Sequence, residues 1–97
     1  MSKRSEALKI PKSVKIRVGL RDCEKCVLCG RPGSPDAHYI ARSHGGLGIE
    51  ENIVTLCRDC HRQYDQSIER QSIKRILRDY LISWYPGWSE DKLIYRK

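Results

Sequence analysis

The chain has no apolar run of the roughly 20 residues that a membrane-spanning helix needs, and no short apolar stretch of the kind found in a secretion signal. The first absence excludes a helical membrane span, and the second speaks against a secreted disulfide scaffold. The expected setting is therefore the cytoplasm, with thiols reduced. There is no internal repeat and no low-complexity tract, so no solenoid or fibrous array is expected. Length is also scarce. With 97 residues there is enough chain for one small domain, but small domains bury too little of their unfolded surface to stabilise themselves comfortably. Something besides apolar burial is expected to hold the fold.

Carboxylates are few at one end. Between Met1 and Arg21 the basic residues Lys3, Arg4, Lys9, Lys12, Lys15, Arg17 and Arg21 are opposed by Glu6 alone, within a chain of net charge +7. Such a segment neutralises phosphates and releases counterions, which gives affinity for a polyanion without sequence preference. Residues 1–12 read as a basic N-terminal tail, either poorly ordered or laid along a polyanion, and Lys12, Lys15 and Arg17 are candidate nucleic-acid contacts. Val14, Ile16 and Val18 alternate with basic residues, so residues 14–20 read as a short strand or extended arm.

Chemistry concentrates in the middle of the chain. Cys26-Val27-Leu28-Cys29 and Cys57-Arg58-Asp59-Cys60 form two knuckles, and His61 follows the second directly. Structural zinc takes four Cys or His ligands in a closed tetrahedron, so Cys26, Cys29, Cys57 and Cys60 are the expected staple. Cys23 lies at the same short spacing before Cys26, yet no further cysteine continues the run as an iron–sulfur site would require. Cys29-Gly30 supplies the tight turn of a knuckle, which leaves Cys23 as a spare thiol. His61 in place of one cysteine remains open from spacing alone.

Between the knuckles, Gly30 to Pro35 reads as a turn, Ala37 to Ala41 as a strand, Ser43 to Gly48 as a glycine loop and Asn52 to Leu56 as a returning strand. From Arg58 the pattern is helical. Ile73, Ile76, Leu77, Tyr80, Leu81 and Trp84 recur at three- and four-residue steps, which predicts a packing helix at about 72–85, ended by Pro86 and Gly87. Ser89 to Tyr95 reads as a last helical turn with Ser89 as its cap.

This order of a CxxC, a histidine on a strand, a Gly-Gly loop, an asparagine before an apolar strand, and a CxxCH resembles the HNH endonucleases. The resemblance covers residues 22–66 and implies an α+β fold: a small ββα-metal finger stapled by the four-cysteine zinc site, with flanking helices. It implies one nuclease domain over residues 13–97 and gives His38, Asn52 and His61 as the residues that name the motif. DNA is the implied partner. A neutral imidazole suits water activation near operating pH, which makes His38 the candidate general base.

A divalent cation, Mg²⁺ or Mn²⁺, would serve the phosphate and the departing oxygen. His61 is the first candidate ligand, with Asp65 one helical turn later and Asp36 near His38 as further candidates. The family usually carries a metal-binding Asp or His just before the base, where this chain has Ala37. Asn52 is expected to pin the loop between the strands. Arg42 and Arg62 are candidate phosphate clamps.

One site per chain would nick one strand, so a double-strand break calls for a homodimer or two nicks; monomer and homodimer are both open. Small bacteriophage and bacterial proteins are similar, which points to a bacterial or phage-infected cytoplasm and, by analogy alone, to phage packaging partners. The competing expectation is a zinc-stabilised DNA-binding module without catalysis, for which Ala37 speaks.

Overall fold

The computed structural model describes residues 2–96. Helix α1 spans Lys3–Leu8, α2 Lys12–Arg21, strand β1 Ser34–His38, β2 Ile53–Leu56, α3 Arg58–Gln66 and α4 Arg70–Trp84, with short 3₁₀ turns at Arg42–His44, Glu50–Asn52 and Glu90–Leu93. Strands β1 and β2 pair antiparallel, with Ala37 opposite Val54 and His38 opposite Ile53, and an irregularity lies between Ser34 and Ala37. The helix α3 follows β2 directly, which completes a ββα finger. This is the small α+β architecture with a four-cysteine cluster that the sequence predicts.

Two expectations need correcting. Residues 14–20 are helical, within α2. The alternation of Val14, Ile16 and Val18 coincides with a four-residue step from Val14 to Val18, and burial follows the helical step. Val14 and Val18 pack on Ile53, while Ile16 and Leu20 are exposed. Within the basic segment, Lys3–Leu8 form α1. Ser2 caps α1 by accepting from the Ser5 N–H, Leu8 is buried, and the Gly48 N–H donates to the Ala7 carbonyl at 3.0 Å. Gly48 is required there, because a Cβ would lie 1.7 Å from the Lys9 carbonyl oxygen.

Strand β1 also ends earlier than predicted, at His38. Beyond it, the Tyr39 N–H donates to the Asn52 carbonyl, and the Asn52 side chain then replaces a partner strand at Ile40. In α4 the periodic stripe divides. Ile73, Leu77 and Leu81 are buried against Tyr39, Leu56 and Tyr64, whereas Ile76 and Trp84 stand about half exposed on the flank. Burying side chains of this size stabilises by about 2 kcal/mol each. The segment after α4 forms a 3₁₀ turn whose Leu93 is buried, and its backbone clamps the glycine loop through Leu47 N–H to Leu93 O and Tyr95 N–H to Gly45 O.

A buried carboxylate ties three elements together. Asp22, 7 % exposed, accepts from Arg21 Nε at 2.7 Å and Nη2 at 3.0 Å, from the Thr55 N–H at 2.9 Å, and from the Tyr80 hydroxyl. Arg21 in turn donates to the Ile53 and Glu50 carbonyls and to the Tyr85 hydroxyl. Thus the end of α2, strand β2 and α4 meet on one ion pair. Burying an ion pair yields little net stability, but removing one partner strands the other. Asp22→Ala should therefore cost about 3–5 kcal/mol, read as a lower urea midpoint; a midpoint unchanged within error would mean that Arg21 finds another partner.

Candidate active site and metal centre

The four knuckle cysteines converge. Gly30, at φ +79°, closes the first knuckle, and the Val27 N–H donates to the Thr55 carbonyl, which fastens that knuckle to β2. Cys57 is the cap of α3, its sulfur accepting from the Cys60 N–H at 3.4 Å. All four sulfurs lie within 4.8 Å of one another, and Cys29 and Cys57 are 3.6 Å apart. A tetrahedral zinc with Zn–S bonds of about 2.3 Å sets sulfurs about 3.8 Å apart, so the donor set fits that ion.

Hydrogen bonds from the Arg31 backbone and then its guanidinium draw the Cys29 thiol down to about 6, whereas burial pushes Cys60 up. Four thiolates in one pocket require a cation among them. Cys23 stays outside, exposed in the turn after α2.

The second cluster lies in a cleft between β1 and α3. Along β1, Asp36 and His38 face outward while Ala37 is fully buried beneath them. Alternation along a strand explains this: residues two apart share a face. Ala37 therefore belongs to the core, and the carboxylate that shares the face of His38 is Asp36. His61 stands between two carboxylates, with Nε2 3.4 Å from Asp65 Oδ2 and Nδ1 3.8 Å from Asp36 Oδ1. The helical step from His61 to Asp65 does bring the two together, and His61 is not part of the cysteine cluster.

His38 is half-buried, and its Nε2 lies 3.0 Å from the Leu8 carbonyl oxygen. A carbonyl can only accept, so Nε2 carries the proton and Nδ1 keeps a free lone pair. Burial holds the imidazole below its ordinary value, the neighbouring Arg42 charge acts the same way, and the Leu8 and Asp36 contacts oppose them. The base candidate thus stays neutral to a lower pH than a free histidine.

Asn52, fully buried, accepts from the Ile40 N–H at 2.8 Å and donates to the Ile40 and Leu47 carbonyls at 3.2 and 2.8 Å. These three bonds tie Asn52 to the loop that follows His38.

The basic candidates divide by place. Arg42 shares the cleft with His38 and His61, and Arg62 lines its other side beside Asp65. Lys12 and Lys15 border a separate hollow against Gly33 and Pro35, and Arg17 is paired with Glu50 at 2.9 Å. Two contributors carry no sequence signal of their own. One is the Leu8 carbonyl. The other is Arg70, which lines the cleft with its guanidinium 4.3 Å from the Tyr64 ring centroid and Nη1 bonded to the Tyr64 carbonyl.

The HNH endonuclease family model matches residues 26–67, from the first zinc cysteine to the end of α3. No curated protein and no solved structure matches the chain. The match supports a nuclease-type function in general, and the family it describes implies DNA binding. Among the described residues no helix is long and apolar enough to cross a membrane.

Two measurements check this site. The purified protein should hold about one zinc per chain by atomic absorption, and Cys57→Ser should lose both the zinc and the thermal transition, since structural zinc binding is part of the folding energy. A variant that melts like the parent would place the staple elsewhere. Asn52→Ala leaves the Ile40 and Leu47 backbone groups unpaired and should cost about 3 kcal/mol, with zinc content retained.

Proposed function

We propose that the chain is a cation-dependent DNA endonuclease that hydrolyses one phosphodiester per active site, with His38 as general base. The observation that carries this reading is the His38 ring, tied at Nε2 by the Leu8 carbonyl and left free at Nδ1, in the same cleft as His61 and Asp65. His38 Nδ1 takes the proton from the attacking water as its oxygen bonds to phosphorus. The bond from phosphorus to the 3′ oxygen breaks, and that oxygen takes a proton from solvent, leaving a 3′-hydroxyl and a 5′-phosphate.

His61 Nε2 and Asp65 are the proposed holders of the cation, with the Asp36 carboxylate 3.8 Å from His61 Nδ1 on the other side of the ring, where a carboxylate behind a metal-bound histidine orients it. When bound there, Mg²⁺ or Mn²⁺ supplies Lewis-acid charge at the phosphate oxygens and the leaving oxygen. Arg42 and Arg62, one on either side of His61, hold the phosphates that flank the reacting one. Asn52 keeps the loop after the base in place and touches no substrate.

Nicking of supercoiled plasmid by the zinc-loaded protein should depend on added Mg²⁺ or Mn²⁺. His38→Ala should lose about 10²–10⁴-fold in rate while still binding DNA; cleavage at the parental rate would remove His38 as the base. Asp65→Asn should raise the cation concentration needed for half-maximal rate.

The pH profile has a definite sign. The competent form of His38 is neutral and its value is lowered from 6.5 by burial, so the rate should rise with pH through an inflection below 6.5 and then level off. An inflection well above 6.5 that disappears in no His38 variant would point to another group.

A further inference from the structure

The outer flank of α4 is basic, and apart from the contacts of Arg70 with Tyr64 and of Lys74 with Tyr39 nothing in the finger engages it. Arg70, Lys74 and Arg78 follow at four-residue steps, with Arg75 beside them, against Asp79 as the helix's only carboxylate. Residues four apart share a helix face. The buried stripe of Ile73, Leu77 and Leu81 runs alongside, so packing against the core fixes the direction in which this flank points.

The stripe begins at the catalytic cleft. Arg70 lines that cleft with His38, His61 and Asp65, and Lys74 holds its ammonium 5.6 Å from the ring centroid of Tyr39, the residue next to His38. Farther on, Lys74, Arg75 and Arg78 border a shallow groove with Tyr39, where Glu90 is engaged by the Tyr39 hydroxyl.

Two features argue against a merely solvated face. Among the described residues none of these four cations forms an ion pair, whereas Arg17, Arg21 and Arg31 each have a carboxylate within 4.0 Å. Arg70 moreover stands in the first turn of α4, where a cation opposes the helix dipole. Helix stability does not account for that placement; the Tyr64 contacts hold the guanidinium at the mouth of the cleft, where its charge faces an incoming phosphate.

We infer that the Arg70–Lys74–Arg78 flank of α4 is a track for the phosphate backbone of duplex DNA, leading away from the scissile phosphate on the Arg70 side of the cleft. This rests on the endonuclease reading above and adds the surface that would align the duplex. From Arg70 to Arg78 the helix rises about 12 Å. One strand of a duplex presents a charge about every 3.4 Å of axis, so the flank spans roughly three or four phosphates. Such contacts position the duplex and carry no base preference.

The test is binding of a fluorescent duplex oligonucleotide by zinc-loaded, full-length protein in the His38→Ala background, followed over a range of KCl concentrations. The Lys74→Ala/Arg75→Ala/Arg78→Ala variant should bind more weakly, and the slope of log affinity against log salt should fall by roughly 0.9 for each phosphate no longer neutralised. Arg78→Glu alone, at an exposed position, should move both quantities the same way and guards against a triple variant that folds poorly. Unchanged affinity and slope in both variants, with the parent binding, would overturn the track and leave the endonuclease reading standing. A parent that binds no DNA at all would instead overturn the endonuclease reading. A weakening seen with a single-stranded oligonucleotide but not with the duplex would overturn the assignment to duplex.

Discussion

Four sulfurs held within 4.8 Å of one another set the terms for everything else in this fold. Thiolates that close repel unless a cation lies among them, so the chain either binds the ion or lacks the joint that connects its first knuckle to α3. That joint fixes β2 between Cys26–Cys29 and Cys57–Cys60, and β2 in turn sets the register of β1 through Val54 and Ile53. The outward face of β1, with Asp36 and His38, then meets His61 on the first turns of α3. The four-cysteine joint thus determines, through two short strands, where His38 and the His61–Asp65 pair stand relative to each other.

Outside the finger, the remaining chain supplies what the finger cannot. Helices α2 and α4 supply much of the apolar packing and share the buried Asp22–Arg21 pair with β2. The 3₁₀ turn after α4 holds the glycine loop by two backbone bonds. Helix α1 supplies a carbonyl to His38. These parts lie outside the stretch that the family model matches, yet each touches a residue of the site or the loop beside it.

The clustering of the candidate side chains was legible in the sequence, because metal ligation and acid–base work demand particular residue types at particular steps. Cys26, Cys29, Cys57 and Cys60 converge as their paired spacing required, and Asp65 meets His61 across one helical turn. Asn52 pins the loop because only an amide offers donor and acceptor together at that point. What escaped were features without a side-chain signature. The Leu8 carbonyl is a backbone atom that any residue would present. Residues 14–20 fit two periodicities over so short a run, and only the packing of Val14 and Val18 on Ile53 separates helix from strand. Ala37 departs from the family pattern in sequence, but its inward direction depends on strand alternation around an irregular register.

The contact between Leu8 and His38 bears on how the motif can be moved between proteins. A graft of residues 26–67 into another scaffold would carry the zinc cysteines, the imidazole and both carboxylates. It would leave behind the one atom that decides which ring nitrogen holds the proton. The recipient would have to provide a carbonyl at the same point in space, where the grafted Gly48 leaves room for a chain to approach that closely. The tautomer of His38 in this protein is therefore a property of how residues 2–10 return to its middle. A transplanted motif would inherit the residues without inheriting the tautomer.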